Sequence, residues 1–150
     1  MQALNLPKYE IKLKNEGGKE YIFDKFRKKF LRFTPEEWVR QNFLHYLIYN
    51  LKYPESLISI EAKVEVNGHQ KRYDAVGYNK NGHPFLLVEC KAPDVNLSQR
   101  TFDQAAGYNF ALNVKYIIVT NGRDHYCCTV NNSEQRYVFL EEFPDFSLLV

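Results

Sequence analysis

Residues 84–91 read Pro-Phe-Leu-Leu-Val-Glu-Cys-Lys, an apolar run that ends in two charges around a cysteine. A short apolar run bounded by turn residues is typical of a strand that is buried on both faces. Because side chains alternate along a strand, Glu89 and Lys91 are expected on one face and Cys90 on the other. This stretch therefore predicts a central strand that holds an acid beside a base at its end.

Strand signals flank this run on both sides. Residues 57–66 and 70–78 are separated by Asn67-Gly68, the commonest two-residue hairpin turn, and predict two antiparallel strands. After the run, residues 115–120 (Lys-Tyr-Ile-Ile-Val-Thr) predict another buried strand, and residues 125–130 and 136–140 predict two weaker ones. At the N-terminus, alternation over residues 9–14 followed by Gly17-Gly18 predicts a small β element.

Two helices are predicted between these strands. Thr34-Pro35-Glu36-Glu37 supplies an N-cap, a proline at the first helical position and an acid three residues after the cap, so a helix is expected to run to about Lys52. A second helix is expected from Ser98 to about Asn113. The order of helix, three strands, helix and further strands predicts an α/β fold, a mixed sheet flanked by helices. We expect one domain over residues 1–150, with residues 1–20 as an N-terminal β extension.

Composition excludes several classes of protein. The formal net charge is only +2, so any surface that binds a polyanion must be local. Five cations within residues 25–32 alternate with phenylalanines, which fits either a phosphate contact or a solvated face. The three cysteines show no zinc-ligand spacing and indicate reduced thiols. No apolar run reaches 18 residues, so we expect a cytoplasmic protein without a membrane span.

The candidate chemistry lies on adjacent strands. The short turn at residues 79–83 makes the strand that contains Asp74 a neighbour of the strand that contains Glu89. Two close carboxylates repel each other unless a hard cation lies between them, and Mg²⁺ suits such oxygen ligands. Metal-assisted attack of water on a phosphodiester is the reaction that such a site suits, with Lys91 orienting the water and Gln104 fixing the geometry. The alternative interpretation is that these are ordinary charges at strand ends.

At these positions the sequence resembles a known family. Asp74, Glu89-Cys90-Lys91 and Gln104-Ala-Ala-Gly-Tyr108 together look like the PD-(D/E)xK nuclease signature with the Q-x-x-x-Y element of type I restriction enzyme R subunits, N-terminal domain. Residues 35–41 and 119–122 also resemble this group, specifically its small stand-alone members. The sequence departs from the motif where Tyr73, rather than proline, precedes Asp74.

The resemblance implies a restriction-endonuclease-like fold and a Mg²⁺-dependent endonuclease, with Mn²⁺ as a substitute ion and DNA as substrate. It implies that Asp74 and Glu89 bind the metal, that Lys91 is the catalytic lysine and that Glu36 is the first-helix acid, with Glu37 as a rival. Gln104 and Tyr108, four residues apart, would share one helix face and serve cleavage and DNA contact. The remaining candidates for DNA contact are Arg72 and Arg100.

The resemblance also bears on partners. R subunits carry a motor that this sequence does not contain, so we expect either a separate motor or specificity subunit, or a chain that acts alone as a monomer or weak homodimer. The alternative function is a non-catalytic nucleic-acid-binding or protein-interaction module on the same fold, against which the complete Asp, Glu, Lys and Gln set argues. A third alternative is a structural protein, and it is disfavoured if the basic residues gather beside the acids.

Overall fold

The computed structural model describes residues 3–61, 63–66, 68–107, 112–131, 133–134 and 136–150. Within them, the apolar run of residues 84–91 forms an inner strand of a six-stranded sheet. The strands of this sheet, in spatial order, are β11 (Arg136–Phe139), β10 (His125–Asn131), β9 (Tyr116–Thr120), β8 (Pro84–Cys90), β7 (Ala75–Tyr78) and β4 (Ile58–Ile60). β8 and β9 run parallel and the other neighbours run antiparallel. The predicted α/β class with a mixed sheet is confirmed.

Two helices cover opposite faces of this sheet. Helix α1 (Pro35–Tyr49) packs Val39, Phe43 and Leu47 in one core with Val88 and Cys90 of β8. Helix α2 (Gln99–Gly107) packs its apolar side chains in a second core with Leu87 of the same strand. This division follows from the alternation of side chains along β8. Among the described residues, no helix is long and apolar enough to span a membrane.

The ends of α1 follow local capping chemistry. The Thr34 hydroxyl accepts a hydrogen bond from the Glu37 backbone N–H at 3.0 Å, as the N-cap prediction requires. The helix ends at Tyr49 rather than near Lys52. Lys52 adopts a left-handed conformation (φ 62°), and the backbone N–H of Tyr53 then donates back to the Leu47 carbonyl oxygen at 3.0 Å. This turn satisfies an end carbonyl and stops the helix early.

The two strands predicted at residues 57–66 and 70–78 are each broken in two. The first divides into β4 and β5 (Lys63–Val66), and the second into β6 (His69–Arg72) and β7. β5 and β6 pair only with each other, in a two-stranded hairpin whose last partners are Val66 and His69. Asn67 of the predicted turn lies outside the described residues. The breaks fall at Glu61, which has a positive φ of 51°, and at residues 73–74.

The N-terminal β element is larger than predicted. It is a three-stranded antiparallel sheet of β1 (Leu13–Glu16), β2 (Lys19–Asp24) and β3 (Lys29–Arg32). The turn at Gly17-Gly18 is present, with φ values of 61° and 77°, and β1 starts at Leu13 rather than at Tyr9. Ile22 and Asp24 of β2 are fully buried, and β2 contacts α1. The sheet is thus attached to the body through this helix.

Helix α2 begins as predicted, because the Ser98 hydroxyl accepts a hydrogen bond from the Thr101 backbone N–H at 3.2 Å. The described helix runs to Gly107, and residues 108–111 lie outside the described part of the chain. The predicted end at Asn113 therefore stays a prediction. The later strands β9, β10 and β11 lie within one residue of the predicted bounds.

Candidate active site

Asp74 and Glu89 meet where β7 and β8 pair. Ala75 lies opposite Val88 in this antiparallel pair, so Asp74 comes level with Glu89. The Asp74 backbone N–H donates to Glu89 Oε1 at 3.3 Å, and the Cys90 backbone N–H donates to Asp74 Oδ2 at 2.7 Å. The break between β6 and β7 therefore places the Asp74 side chain against the end of β8.

An arginine that the sequence analysis did not single out binds this aspartate. Arg40 of α1 donates through Nε, at 2.9 Å, and through Nη2 to Asp74 Oδ1. Its Nη1 donates to Glu37. Burial lowers the pKa of Arg40, but the carboxylates of Asp74 and Glu37 outweigh it and hold that pKa above the usual value. The Arg40 guanidinium is thus a fixed positive charge between two acids.

The two rival acids of the first helix have different surroundings. Glu37 is only 5% exposed and is ion-paired with Arg40, and burial raises its pKa despite that pairing. Glu36 is half-buried. The pKa of the Cys90 thiol is raised well above its usual value by burial and then by Asp74, with smaller contributions of the same sign from Glu89 and Glu36. Glu36 therefore acts on Cys90, the residue after Glu89, while Glu37 belongs to the arginine network.

Lys91 directly follows β8. Its backbone N–H donates to the carbonyl oxygen of Thr120, the last residue of β9, at 2.8 Å. This bond continues the parallel pairing of β8 and β9 past Cys90 and fixes the backbone of Lys91 at the end of the strand. Glu89 and Lys91, two residues apart, are both half-buried. The site thus takes its acid and its base from one rigid element.

The other predicted residues lie further out. Gln104 and Arg100 are exposed on α2, and no hydrogen bond between described residues joins Gln104 to Asp74, Glu89 or Lys91. Tyr108 lies outside the described residues. The structure thus joins Asp74 to Glu89, and alternation along β8 puts Glu89 and Lys91 on the face of the sheet that α2 covers, whereas Glu36 lies on α1.

A line of alternating charges leads to the site from the N-terminal sheet. Arg72 and Arg27 both approach Glu61 Oε2, at 3.6 and 3.1 Å, and Arg27 also lies 3.9 Å from Glu37. Since Glu37 binds Arg40, these ion pairs connect Arg72 with Asp74. Some of the basic residues therefore gather near the acids, whereas Arg100 is exposed on α2.

The donors at the site fit a magnesium ion. Mg²⁺ binds through one or two carboxylates and keeps several waters, and Asp74 and Glu89 supply two carboxylates on residues that are joined by a backbone-to-side-chain hydrogen bond. Within the described part of the chain, Arg40 donates two hydrogen bonds to Asp74 Oδ1, while the Cys90 N–H is the one donor to Oδ2. Among the described residues, no group of three or more histidine, cysteine or acidic side chains is arranged to hold a metal ion. Water would therefore complete the coordination.

The α/β fold is shared with a solved structure. The chain is similar to the crystal structure of a protein from Anabaena variabilis described as a nuclease belonging to DUF820, with a TM-score of 0.50 and 13% sequence identity. The similarity covers 97% of this chain and 88% of that one. At this identity, the likeness defines the fold.

The family is given by the sequence itself. Residues 35–144 match the model of the type I restriction enzyme R protein N terminus (HSDR_N), and the chain belongs to that family. The resemblance inferred from the motifs is thereby confirmed. The matched range includes Glu36, Arg40, Asp74, Glu89 and Lys91, whereas strands β1 to β3 precede it.

A restriction-enzyme subunit is also similar in structure. A fragment described as the HsdR subunit of a type I restriction enzyme from Vibrio vulnificus YJ016 is 22% identical over 63% of this chain, with a TM-score of 0.45. The match spans 20% of the length of that fragment. No curated protein matches the sequence.

Proposed function

We propose that this chain is a Mg²⁺-dependent endonuclease domain that hydrolyses DNA phosphodiester bonds. The observation that carries the proposal is the contact between Asp74 and Glu89, with Lys91 held at the end of the same strand as Glu89. All three residues lie within the range matched by the family model. A carboxylate pair can hold the ion for metal-assisted phosphodiester hydrolysis, and a nearby lysine can offset the negative charge that develops.

Each residue has a separate role in this proposal. Asp74 and Glu89 hold Mg²⁺, for which Mn²⁺ can substitute, and the ion polarises the phosphoryl oxygen and activates water. The Lys91 ammonium orients that water and offsets the negative charge that develops on the phosphate. Glu36 adds negative charge close to the pair and so helps to attract the cation. Gln104 is assigned the positioning role that its motif implies.

DNA contacts and partners extend the proposal. Arg72, Arg100 and Tyr108 are assigned to DNA, and the arginines suit phosphate oxygens because a guanidinium presents several donors in one plane. Membership of the R-protein family supports a separate motor or specificity subunit as partner, in the cytoplasm. We expect the chain itself to be a monomer or weak homodimer.

One observation favours the alternative function, a non-catalytic nucleic-acid-binding or protein-interaction module. Arg40 already forms an ion pair with Asp74, so this carboxylate has a counter-charge without a divalent ion. A protein that had lost catalysis would keep such a pair because it stabilises the fold. The two functions differ in whether a metal ion gains access to Asp74.

The test is nicking of supercoiled plasmid by the purified protein in Mg²⁺, Mn²⁺ or EDTA. We expect metal-dependent nicking that falls at least about a hundredfold in Glu89→Gln and Lys91→Ala, in line with the loss of transition-state charge stabilisation. Lys80→Ala is the matched control, since Lys80 is exposed in the turn at the far end of the β7–β8 hairpin. Equal nicking by all variants, or none by the parent protein while it still binds DNA, would favour the non-catalytic module.

A further inference from the structure

The outer face of the N-terminal sheet combines cations with aromatic rings. The register places Lys14, Tyr21 and Arg32 side by side across the three strands, and Phe23 opposite Phe30. Alternation adds Lys19 at the start of β2, and Lys12 lies beside Phe23, whose backbone N–H donates to the Lys12 carbonyl oxygen at 2.9 Å. The intervening residues Ile22 and Asp24 are buried and belong to the other face. We call this surface the basic-aromatic face: Lys12, Lys14, Lys19, Tyr21, Phe23, Phe30 and Arg32.

The cations of the basic-aromatic face lie directly over its rings. Lys14 Nζ is 4.3 Å from the ring centroid of Phe30, and Arg32 Cζ is 5.8 Å from that of Tyr21. Lys12 Nζ is 5.7 Å from the centroid of Phe23. The three rings are half-buried and the four cations are exposed. The rings therefore present part of their surface to solvent, with mobile positive charges above them.

Charge is strongly segregated toward this part of the chain. Residues 8–33 contain nine lysines and arginines against four acids, a net charge of +5. The other residues contain eleven cations and fourteen acids, a net charge of −3. Glu16 forms an ion pair with Lys14 at 3.1 Å, and the alternation of side chains along β1 places this acid on the basic-aromatic face. The small net charge of the whole chain is therefore the sum of a basic region, which includes the N-terminal sheet, and an acidic remainder.

We propose that the basic-aromatic face binds single-stranded nucleic acid. The four cations would contact phosphates, and unpaired bases would stack on Tyr21, Phe23 and Phe30. Sheets that bind single strands combine cations for the backbone with rings for the bases in this way, because every base has a stacking face that a duplex hides. The site lies outside the range of the family model and does not include the acid pair, so it goes beyond the proposed nuclease function.

The test is fluorescence anisotropy with a labelled 15-nucleotide oligo-dT in EDTA, which removes cleavage from the measurement. We expect the parent protein to bind, and Phe30→Leu and Tyr21→Leu each to weaken binding at least about fivefold, because each removes a stacking ring. Lys14→Gln should lower the slope of log affinity against log salt by about 0.7, the effect of one phosphate contact in a single strand. Lys80→Ala, in the exposed β7–β8 turn outside this face, should bind as the parent does, and binding in EDTA is independent of the nuclease proposal.

The matched control is Lys29→Gln, which removes the same charge from the opposite face of β3. Lys29 lies opposite Asp24 in the β2–β3 register. Thermal melts identify any variant that is unfolded. If one of the two ring variants is unfolded, the other still tests the stacking. The proposal is overturned if the parent does not bind at 50 mM salt, or if Lys29→Gln matches Lys14→Gln. It is also overturned if a duplex of equal length binds as tightly and folded ring variants keep parent affinity.

Discussion

At the scale of single residues, Arg40 decides the state of the candidate site. Its guanidinium binds Asp74, and its side chain and that of Asp74 are each 13% exposed. A divalent ion that binds Asp74 and Glu89 must share or displace this partner. Release of Arg40 would leave a cation next to the substrate, where it can meet a phosphate group. Metal access and the Arg40–Asp74 pair are therefore coupled.

We predict that Arg40→Gln lowers the free energy of unfolding in EDTA by about 3 kcal/mol, since Asp74 and Glu37 lose their shared partner. Addition of 10 mM Mg²⁺ should raise the Tm of this variant more than that of the parent protein, because the ion then meets an uncompensated acid pair. Thermal melts with and without Mg²⁺ measure both effects.

Arg72→Gln is the control for Arg40→Gln. Arg72 is 57% exposed and pairs with Glu61, so its loss should cost less than about 1 kcal/mol and leave the Mg²⁺ response unchanged. An equal Mg²⁺ response in parent, Arg40→Gln and Arg72→Gln would show that the ion does not compete at Asp74.

His125 makes stability depend on pH. Its Nδ1 lies 2.7 Å from Thr120 Oγ1 and its Nε2 lies 2.8 Å from the Asn5 carbonyl oxygen. Burial lowers the pKa of His125, although the Asn5 contact and Asp124 act in the opposite direction. In the unfolded chain the pKa of this histidine is about 6.5, and in the folded protein it is lower. The neutral ring therefore contributes stability at pH values above about 6.5, and this contribution is lost as the pH falls through the pKa of the folded state.

We predict that the urea midpoint of the parent protein falls between pH 7.5 and pH 5.5, and that His125→Gln reduces this fall. Part of the fall should remain, because burial also lowers the pKa of His45. If the urea midpoint of His125→Gln falls between the two pH values by as much as that of the parent protein, this account is contradicted.

At the scale of elements, α1 carries an unpaired polar group. Gln41 is fully buried, and within the described residues neither its amide nitrogen nor its amide oxygen has a hydrogen-bond partner. We predict that Gln41→Met raises the free energy of unfolding by about 1–2 kcal/mol, since a side chain of similar length replaces an amide whose desolvation is not repaid. Equilibrium urea unfolding measures the change.

Asn42→Leu provides the contrast for Gln41→Met. Asn42 is also buried, but its Nδ2 donates to the Trp38 carbonyl oxygen at 2.8 Å, so its replacement should bring no gain. A lower urea midpoint for Gln41→Met than for the parent protein would mean that the Gln41 amide has a partner that stabilises it.

The elements that sequence analysis predicted well are those with local signals. The capping residues Thr34 and Ser98 marked both helix starts, and the apolar runs marked β8 and β9. The break at Glu61 was missed, because a non-glycine residue with positive φ carries no local mark. Strand β3 was missed because its cations, within residues 25–32, were interpreted as a phosphate contact or a solvated face. Strand β2 was missed because the predicted β element was not extended past the Gly17-Gly18 turn.

In the candidate site too, one contact was predicted from local sequence signals and another was not. The Asp74–Glu89 contact followed from the short turn between two strands, whereas the Arg40–Asp74 pair joins residues 34 positions apart. No spacing rule connects a helix residue to a strand residue at that separation, so only the fold brings them together. Arg40 also lies three residues after Glu37, a spacing at which helix side chains meet, but this spacing does not connect it to Asp74.

At the scale of the whole molecule, the acid pair and the basic-aromatic face lie in different parts of the fold. Asp74 and Glu89 lie in the six-stranded sheet, and the basic-aromatic face lies in the three-stranded sheet before α1. The ion pairs of Arg27 connect the two, since Arg27 binds Asp24 of β2 and approaches Glu37 of α1. The two sheets are thus linked through one arginine, on the face of β2 that carries Asp24.

The paired carboxylates are tested most directly by calorimetric titration of Mn²⁺ into the metal-free protein, which measures binding apart from cleavage. We predict one ion per chain in the parent protein and in Asp94→Asn, an exposed acid after β8. Asp74→Asn and Glu89→Gln should each abolish this binding, because each removes one of the two carboxylate ligands. Mn²⁺ binding that survives in both variants, or that is absent from the parent protein, would contradict the assignment of a metal-dependent site to Asp74 and Glu89.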